Sequence, residues 1–284
     1  MAHDIAMKDG KPMMMYVGET PWHKLGTHLD SPPKTASEVI TAANLDWGVV
    51  KHPVFAFDGS KGCAVPGYFA TVRADLWEKP DCVPFGLVGE DYNILQNREA
   101  FSFFDPIIQT GLVTYETAGA LGQGERVWML AKVKGDITIK GIDQVQRYLL
   151  LSNGHDGRTA LKIKFTPVRV VCQNTLSFAL SWGRDLLRSH HGHGMDRRIE
   201  NAQEAVGVIM NQYDSLARHY TRFAEVQMNA KLLHQYMGEV FPTPKRRINQ
   251  RDRSYQQAVA RTDHLRLTSE RLFDEGKGNK QALI

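Results

Sequence analysis

The chain concentrates its chemically capable side chains in one short segment, from Ser152 to Asn174. His155 and Asp156 are adjacent there, and an imidazole beside a carboxylate can act as a general base with the group that orients it. Together with Arg169 they make a hydrolase or nuclease site one hypothesis. The alternative is a turn, because neighbouring strand residues point to opposite faces and Asp-Gly pairs favour tight turns.

The strand predicted after this turn carries basic residues. Apolar and basic residues alternate from Ala160 towards Val171, which predicts a strand with one apolar and one basic face. The cations of this strand and its flanking turns are Arg158, Lys162, Lys164 and Arg169. Four cations near one sheet could neutralise the phosphates of a nucleic acid, and a merely solvated strand face is the alternative.

Three histidines further along the chain raise the question of a metal site. Imidazole ligates zinc, nickel and copper, and His190, His191 and His193 lie close together in the sequence. No cysteine is near them, and the flanking glycines favour a loop between two helices. The sequence therefore predicts no resident metal and no cofactor, with these three histidines as the only metal-ligand candidates.

Composition is that of an ordinary globular protein. Of the 284 residues, 42% are hydrophobic and 23% are charged, which is enough apolar material to bury a core. No stretch approaches the roughly 18 consecutive apolar residues of a membrane helix, so no membrane contact is predicted. Three cysteines without a Cys-x-x-Cys pair fit a reducing compartment, and we expect a cytoplasmic protein.

The charge is distributed unevenly along the chain. From residue 181 to the end, 17 Lys and Arg residues stand against 12 Asp and Glu, whereas the preceding residues carry 18 against 19. An excess of positive charge in the last third suggests a polyanionic partner, although a solvated helical surface has the same composition.

Hydrophobic periodicity predicts an α+β core domain over residues 1–190. We expect a mainly antiparallel, curved β-sheet packed with short helices, among them Thr35–Asn44 and Arg98–Thr110. Gly122–Gly124 and, more strongly, Asn153-Gly154 predict hairpin turns.

Residues 191–284 read as a helical region. From Asp196 apolar residues recur every three or four positions, which predicts one helix of about 40 residues or two in tandem. A final helix is predicted over about Ser254–Asp274. The length of the first helix favours a homo-oligomer formed through it.

Four motifs in order along the chain carry a family resemblance. They are Pro-Trp-His-Lys-Leu-Gly at 21–26, Tyr-Asn-Ile-Leu-Gln-Asn at 92–97, Glu-Thr-Ala-Gly at 116–119 with Gly-Glu-Arg-Val-Trp at 124–128, and Asn-Gly-His-Asp-Gly at 153–157 with Pro-Val-Arg-Val-Val-Cys-Gln-Asn-Thr-Leu at 167–176. With them the chain resembles the phage/plasmid-like family of the domain of unknown function 932 over nearly its whole length. The resemblance implies a bacterial host cytosol and the DNA metabolism of mobile elements, and no particular reaction.

The chain departs from the family pattern in two places. Family members carry Arg-His-Thr after the short helix, where this chain has Arg188-Ser189-His190. They also continue past residues 272–279 into an aromatic-rich helix, where this chain ends with Gln281–Ile284. The resemblance thus implies a truncated final helix, and any function seated there is not carried over.

These observations favour a non-enzymatic, DNA-binding accessory protein of a mobile element. It would bind single-stranded or branched DNA on a basic sheet surface during recombination or replication. The hydrolase or nuclease centred on His155 and Asp156 is the alternative. A further alternative is a counter-defence protein that binds a host factor through residues 196–240.

Overall fold

The computed structural model describes residues 3–80, 82–139, 143–181, 185–192, 197, 199–201, 203–204, 222, 229–240 and 252–276. The chain divides into two units, Met1–His219 and Tyr220–Ile284. The predicted domain boundary after residue 190 stays a prediction.

The described part of the first unit is built mainly from β-strands. In chain order these are β1 (Met7–Lys8), β2 (Lys11–Pro12), β3 (Met14–Val17), β4 (Thr27–Leu29), β5 (Val49–Phe57), β6 (Gly62–Arg73), β7 (Gly86–Gly89), β8 (Val113–Leu121), β9 (Arg126–Ile139), β10 (Asp143–Gly154), β11 (Leu161–Thr166) and β12 (Leu187–Ser189). Seven of them form one sheet in the order β12-β11-β10-β9-β8-β3-β4, and β5-β6-β7 form a second. The described strand pairs are antiparallel except β3 with β4, so the predicted antiparallel α+β class is confirmed.

Short helices accompany the sheets. They are α1 (Ala36–Ala42), α2 (Asn97–Phe101), α3 (Asp105–Gln109) and α4 (Gln173–Ser181), with 3₁₀ turns at Ala74–Leu76 and Ser102–Phe104. The hydroxyl of Thr35 accepts a hydrogen bond from the backbone N–H of Glu38 (3.2 Å), so Thr35 caps the N-terminus of α1. The helix predicted over Arg98–Thr110 is broken into α2, a 3₁₀ turn and α3. Pro106 explains the break, because it has no N–H to continue an α-helix.

Two apolar layers cover the seven-stranded sheet. Helices α1 to α3 pack with Leu149, Leu151 and Ile163 on one face. Helix α4 packs through Leu176 and Ala179 with Trp128, Leu130 and Leu150 on the other. Because both faces are covered, strand β11 has no fully solvated face along its length.

The predicted basic face of β11 was therefore wrong at Lys164. Lys162 pairs in register with Ser152 and Lys164 with Leu150, which places both lysines on the face that α4 covers. Lys164 has no exposed surface, and its ammonium group donates to the carbonyl of Leu180 (3.2 Å) and lies 3.5 Å from the Asp185 carboxylate. A buried charge needs such partners, because an isolated one is too costly to desolvate.

The two hairpin predictions had different outcomes. Gly122 and Gly124 adopt positive φ angles of +64° and +112° in the turn between β8 and β9, as predicted. The prediction of a turn at Asn153-Gly154 was wrong, because β10 continues through Gly154. A Cβ on Gly154 would lie 2.3 Å from the Thr159 side chain, so this glycine permits close packing, and Asp156-Gly157 makes the turn instead.

The described residues of the second unit include α5 (Ala230–Val240) and α6 (Asp252–Gly276), which contact each other. The final helix thus occupies the region predicted for it. The long helix predicted from Asp196 is not confirmed, because residues 205–221 and 223–228 lie outside the described residues. Within the described ranges, no helix is both long and apolar enough to cross a membrane.

Candidate functional site

One end of the seven-stranded sheet brings several motif segments together. The β8–β9 turn (Gly122–Glu125), the β10–β11 connection (His155–Ala160) and the residues after β12 all lie there, as the strand register requires. The Tyr92 hydroxyl donates to the carbonyl of Gly154 (3.2 Å), and the backbone N–H of Asn93 donates to the carbonyl of His191 (3.2 Å). We call this region the loop end.

His155 lies in the core of the loop end and has no exposed surface. Its Nε2 lies 2.9 Å from the Asn97 Oδ1, while the Asn97 amide N–H donates to the carbonyl of Leu45 (3.1 Å). The Asn97 amide is thereby oriented with its oxygen towards His155. His155 Nε2 must then carry the proton, and Nδ1 must be an acceptor. Burial lowers the pKa of His155 to about 3, so the ring is neutral at pH 7.

Asp156 organises the turn that follows. Its Oδ1 accepts hydrogen bonds from the backbone N–H groups of Arg158 (2.9 Å) and Thr159 (2.7 Å), and its Oδ2 accepts one from the Thr159 hydroxyl (2.8 Å). Burial alone would raise the pKa of this carboxyl, but these hydrogen bonds hold it below its ordinary value. The geometry is that of the turn alternative, with Asp156 engaged by its own loop and His155 directed into the core.

The three candidate metal-ligating histidines are not gathered by the described structure. His190 is exposed, whereas His191 is buried and stacks on Tyr92 with ring centroids 4.9 Å apart. His193 lies outside the described residues. Among the residues that the structure describes, no group of three potential metal ligands occurs.

Several buried polar atoms at the loop end find no hydrogen-bond partner among the described residues. They include Trp47 Nε1, Asn153 Oδ1 and His155 Nδ1. Burial lowers the pKa of His191 as well. We call Trp47, Asn97, Asn153, His155 and His191 the His155 pocket.

An open cleft adjoins this pocket. It has a volume of about 390 Å³ and is lined by Pro84, Phe85, Gly86, Gln123, Glu125, Asp156 and Arg158. The Phe85 ring also stacks on His155, with centroids 6.1 Å apart and planes 24° apart. We call the cleft the Phe85 cleft, because the Phe85 ring lines it and also borders the His155 pocket.

The predicted nucleic-acid-binding cations have different environments. Arg158 is exposed in the turn, Lys162 is half-buried and Lys164 is buried. Arg169 forms an ion pair with Glu116 (2.7 Å) and donates to the carbonyls of Val17 (2.8 Å) and Glu19 (2.9 Å). The four do not form one continuous exposed surface.

A different set of cations shares one face of the sheet near the loop end. Lys162 lies directly opposite Arg188, which is exposed on β12. Arg126 begins β9 on the same face, and its guanidinium donates to the Gln173 side-chain oxygen (3.3 Å). We call Arg126, Lys162 and Arg188 the cation row. Arg188 was missed at the sequence level, because only the strand register reveals its position beside Lys162.

A second polar cluster joins three motif segments elsewhere in the sheet. The Trp128 ring N–H donates to the Thr117 hydroxyl (3.2 Å), which donates to the carbonyl of Val170 (2.6 Å). Arg169 and Glu116 continue this cluster through their ion pair. We call Glu116, Thr117, Trp128, Arg169 and Val170 the Arg169 network; each of its polar side chains has a partner, and Val170 contributes its backbone carbonyl.

Comparisons with known proteins identify a family and give no activity. Neither a search of curated proteins nor a search of solved structures found a match. A family model with the description "Domain of unknown function" matches residues 84–283, which include the cation row, most of the His155 pocket and three of the four motifs. The chain therefore belongs to the family described as Domain of unknown function (DUF932).

Proposed function

We propose that this protein is a nucleic-acid-binding accessory protein that acts in the recombination or replication of a phage or plasmid. The DNA would lie across the cation row, with Arg158 at its margin. This surface replaces the one predicted from Arg158, Lys162, Lys164 and Arg169, since two of those four are committed to partners inside the protein.

The observation that carries the proposal is the placement of Lys162 opposite Arg188. Like charges directly opposite each other on neighbouring strands destabilise a sheet. Neither side chain has an ion pair with any described residue. A polyanion bound across the two strands would offset this repulsion.

The dimensions of the cation row suit a nucleic-acid strand. Neighbouring strands are about 4.8 Å apart, so Arg126 on β9 and Arg188 on β12 are separated by about 14 Å across the sheet. A stacked DNA strand advances about 3.4 Å per nucleotide, so the row spans about four nucleotides. Arg158 lies at the same end of the sheet and extends the positive surface.

The geometry gives no comparable support to the hydrolase or nuclease alternative. His155 has no exposed surface and a lowered pKa, so it is poorly placed to take a proton from a substrate. Both oxygens of Asp156 accept hydrogen bonds within its own turn. The counter-defence alternative depends on residues 196–240, most of which lie outside the described residues.

Fluorescence anisotropy with a labelled single-stranded 20-mer tests the proposal across a series of salt concentrations. We expect the double variant Lys162→Ser/Arg188→Ser to weaken binding at low salt by on the order of tenfold or more. The slope of log affinity against log salt should become shallower by roughly 1.4, since each lost phosphate contact contributes about 0.7.

The matched control is Lys11→Ser/Lys34→Ser, which removes the same charge from two exposed lysines elsewhere. It should change affinity much less. If both double variants weaken binding equally, the cation row is not the binding surface. If the unmodified protein binds neither single-stranded nor branched DNA at low salt, the proposal fails.

A further inference from the structure

The His155 pocket presents hydrogen-bonding atoms whose polarity is fixed by their neighbours. Asn153 donates its amide N–H to the carbonyl of Leu95 (3.1 Å), which leaves its Oδ1 as an acceptor. His155 Nδ1 is an acceptor because Nε2 carries the proton, and the Trp47 ring N–H can only donate. Asn153 and His155 therefore each present an acceptor without a partner, and Trp47 presents a donor.

Unsatisfied polar atoms at this depth are costly. An unpaired buried donor or acceptor loses its hydration without compensation, and native proteins carry few such groups. Here Asn153 and His155 have no exposed surface, and Trp47 is only 7% exposed. Their concentration at one place indicates a site whose partner comes from outside the chain.

The side chains of the pocket suit a neutral and planar partner. The five side chains that define the pocket are uncharged at pH 7, because burial lowers the pKa of both imidazoles, and they therefore favour a neutral partner over an ion. Aromatic rings dominate its walls: the Trp47 ring stands edge-on to His155 at 5.8 Å, and the Phe85 ring stacks on it at 6.1 Å. Flat rings with fixed donors and acceptors around them suit a nucleobase.

The Phe85 cleft offers space for the rest of a nucleotide. Its volume of about 390 Å³ falls in the range of small-ligand sites. Arg158 lies at its rim and can hold a phosphate, while Arg126 offsets the charge of Asp156. The backbone N–H of Phe85 donates to the carbonyl of Thr71 (2.8 Å), and its ring lies between the cleft, which it lines, and His155, on which it stacks.

We propose that the Phe85 cleft and the His155 pocket together form a nucleotide site, in which Arg158 meets the phosphate and the base enters beside Asn153 and His155. The inference deepens the proposed function, on which it rests for the source of the nucleotide: one nucleotide of the bound strand. A free nucleotide has the same chemistry and is separated from the strand by experiment.

The pocket makes a prediction about base identity. An exocyclic amino group carries two N–H donors, which match the two acceptors Asn153 Oδ1 and His155 Nδ1. Cytosine and adenine have such a group on their pairing edge and thymine does not. We therefore expect oligo(dC) and oligo(dA) to bind at least about fivefold more tightly than oligo(dT) of the same length.

The experiment measures anisotropy with labelled 12-mers of dC, dA and dT, and calorimetry with dCMP and dTMP. Asn153→Ala should abolish the preference for dC over dT, so that the ratio of the two affinities is about one. Asn93→Ala, which changes an exposed asparagine of the same loop end, should retain the preference. Phe85→Ala removes the shared ring, and we expect it to reduce the preference as well. A circular dichroism melt establishes that each variant is folded.

The outcomes separate the two proposals. Equal binding of the three oligomers by the unmodified protein, with no binding of dCMP, overturns the nucleotide site and leaves the proposed function intact; water alone then fills the pocket. Binding of dCMP in preference to dTMP without binding of any oligomer supports the site and overturns the proposed function. A preference that Asn153→Ala and Phe85→Ala both leave unchanged also overturns the site, even if another region discriminates between the bases.

Discussion

The Arg169 network and the His155 pocket both include residues of the family motif at 153–157 and 167–176, yet the polar atoms are paired in the network and partly unpaired in the pocket. In the network, the Arg169 guanidinium reaches one carboxylate and two backbone carbonyls, and the Trp128 ring N–H is paired through Thr117. In the pocket, Asn153 and His155 each make one side-chain hydrogen bond and retain an acceptor with no partner in the described part of the chain.

This difference distinguishes side chains that stabilise the protein from side chains that await a ligand. A buried network with every member paired rigidifies the structure around it. A cluster with unpaired acceptors costs free energy until something supplies donors. Residues of one motif can therefore have different roles, and hydrogen-bond accounting separates them where their positions in the sequence do not.

The largest expected effect falls on the Arg169 network. Arg169→Met removes an ion pair and leaves the Glu116 carboxylate and the carbonyls of Val17 and Glu19 without donors. Breaking such a pair from one side should lower the free energy of unfolding by about 3 kcal/mol. Urea denaturation measures it, with the exposed Arg158→Met as the matched control, for which we expect a change within about 0.5 kcal/mol. Equal losses in the two variants would show that the network is not the stabilising region.

A smaller effect concerns the dependence of stability on pH. Burial lowers the folded-state pKa of His155 to about 3, against about 6.5 in the unfolded chain, so only the unfolded chain is protonated between these values. The free energy of unfolding is therefore highest above about pH 6.5. It falls by roughly 1 kcal/mol per pH unit as the pH is lowered towards 3, because the proton binds only to the unfolded chain. Comparing urea denaturation at pH 7 and pH 5 measures this loss.

His155→Gln tests whether His155 causes this pH dependence. A glutamine N–H can still donate to Asn97, but the titrating ring is removed. We expect the variant to lose roughly 1 to 2 kcal/mol less than the unmodified protein between pH 7 and pH 5. His190→Gln, which removes an exposed histidine, should leave the pH dependence unchanged. A pH dependence that is the same in all three proteins would contradict a buried, neutral His155.

The smallest expected effect on stability is at Lys164, a buried and paired cation that can be compared with the half-buried Lys162. Lys164→Met keeps the length of the side chain, and Asp185 is exposed enough to be hydrated, so stability should change by less than about 1 kcal/mol. DNA affinity and its salt dependence should not change, in contrast to Lys162→Ser. A loss of affinity equal to that of Lys162→Ser would place Lys164 at the binding surface and refute its burial under α4.

Local chemistry was sufficient to predict some elements of the fold. The helix that begins after Thr35, the turn with the glycines at 122 and 124, and the Asp156-Gly157 turn all follow from the preferences of a few neighbouring residues. The Asn153-Gly154 turn failed because the same dipeptide serves another purpose, with Asn153 bonded to Leu95 and Gly154 packed against Thr159. A preference for turns could not reveal those distant partners.

The candidate site depended on contacts between residues far apart in the sequence. Asn97 and His155 are 58 positions apart, and their hydrogen bond determines which nitrogen of the imidazole is protonated. The alternation around Lys162 and Lys164 correctly placed both on one strand face, but α4, which buries one of them, forms from residues further along. The alternation of apolar and basic residues did not show which side chains are buried by other elements or which lie opposite each other on neighbouring strands.

The strand order has a further consequence for solubility. The outer strands of the seven-stranded sheet, β12 and β4, have three residues each, so each offers only a short row of backbone groups to another chain. A charged side chain, Arg188, lies at the centre of β12. Short, charged edges disfavour the edge-to-edge pairing that leads to aggregation. Arg188, which we assign to DNA binding, would thus also help to keep the sheets of neighbouring molecules apart in the crowded cell.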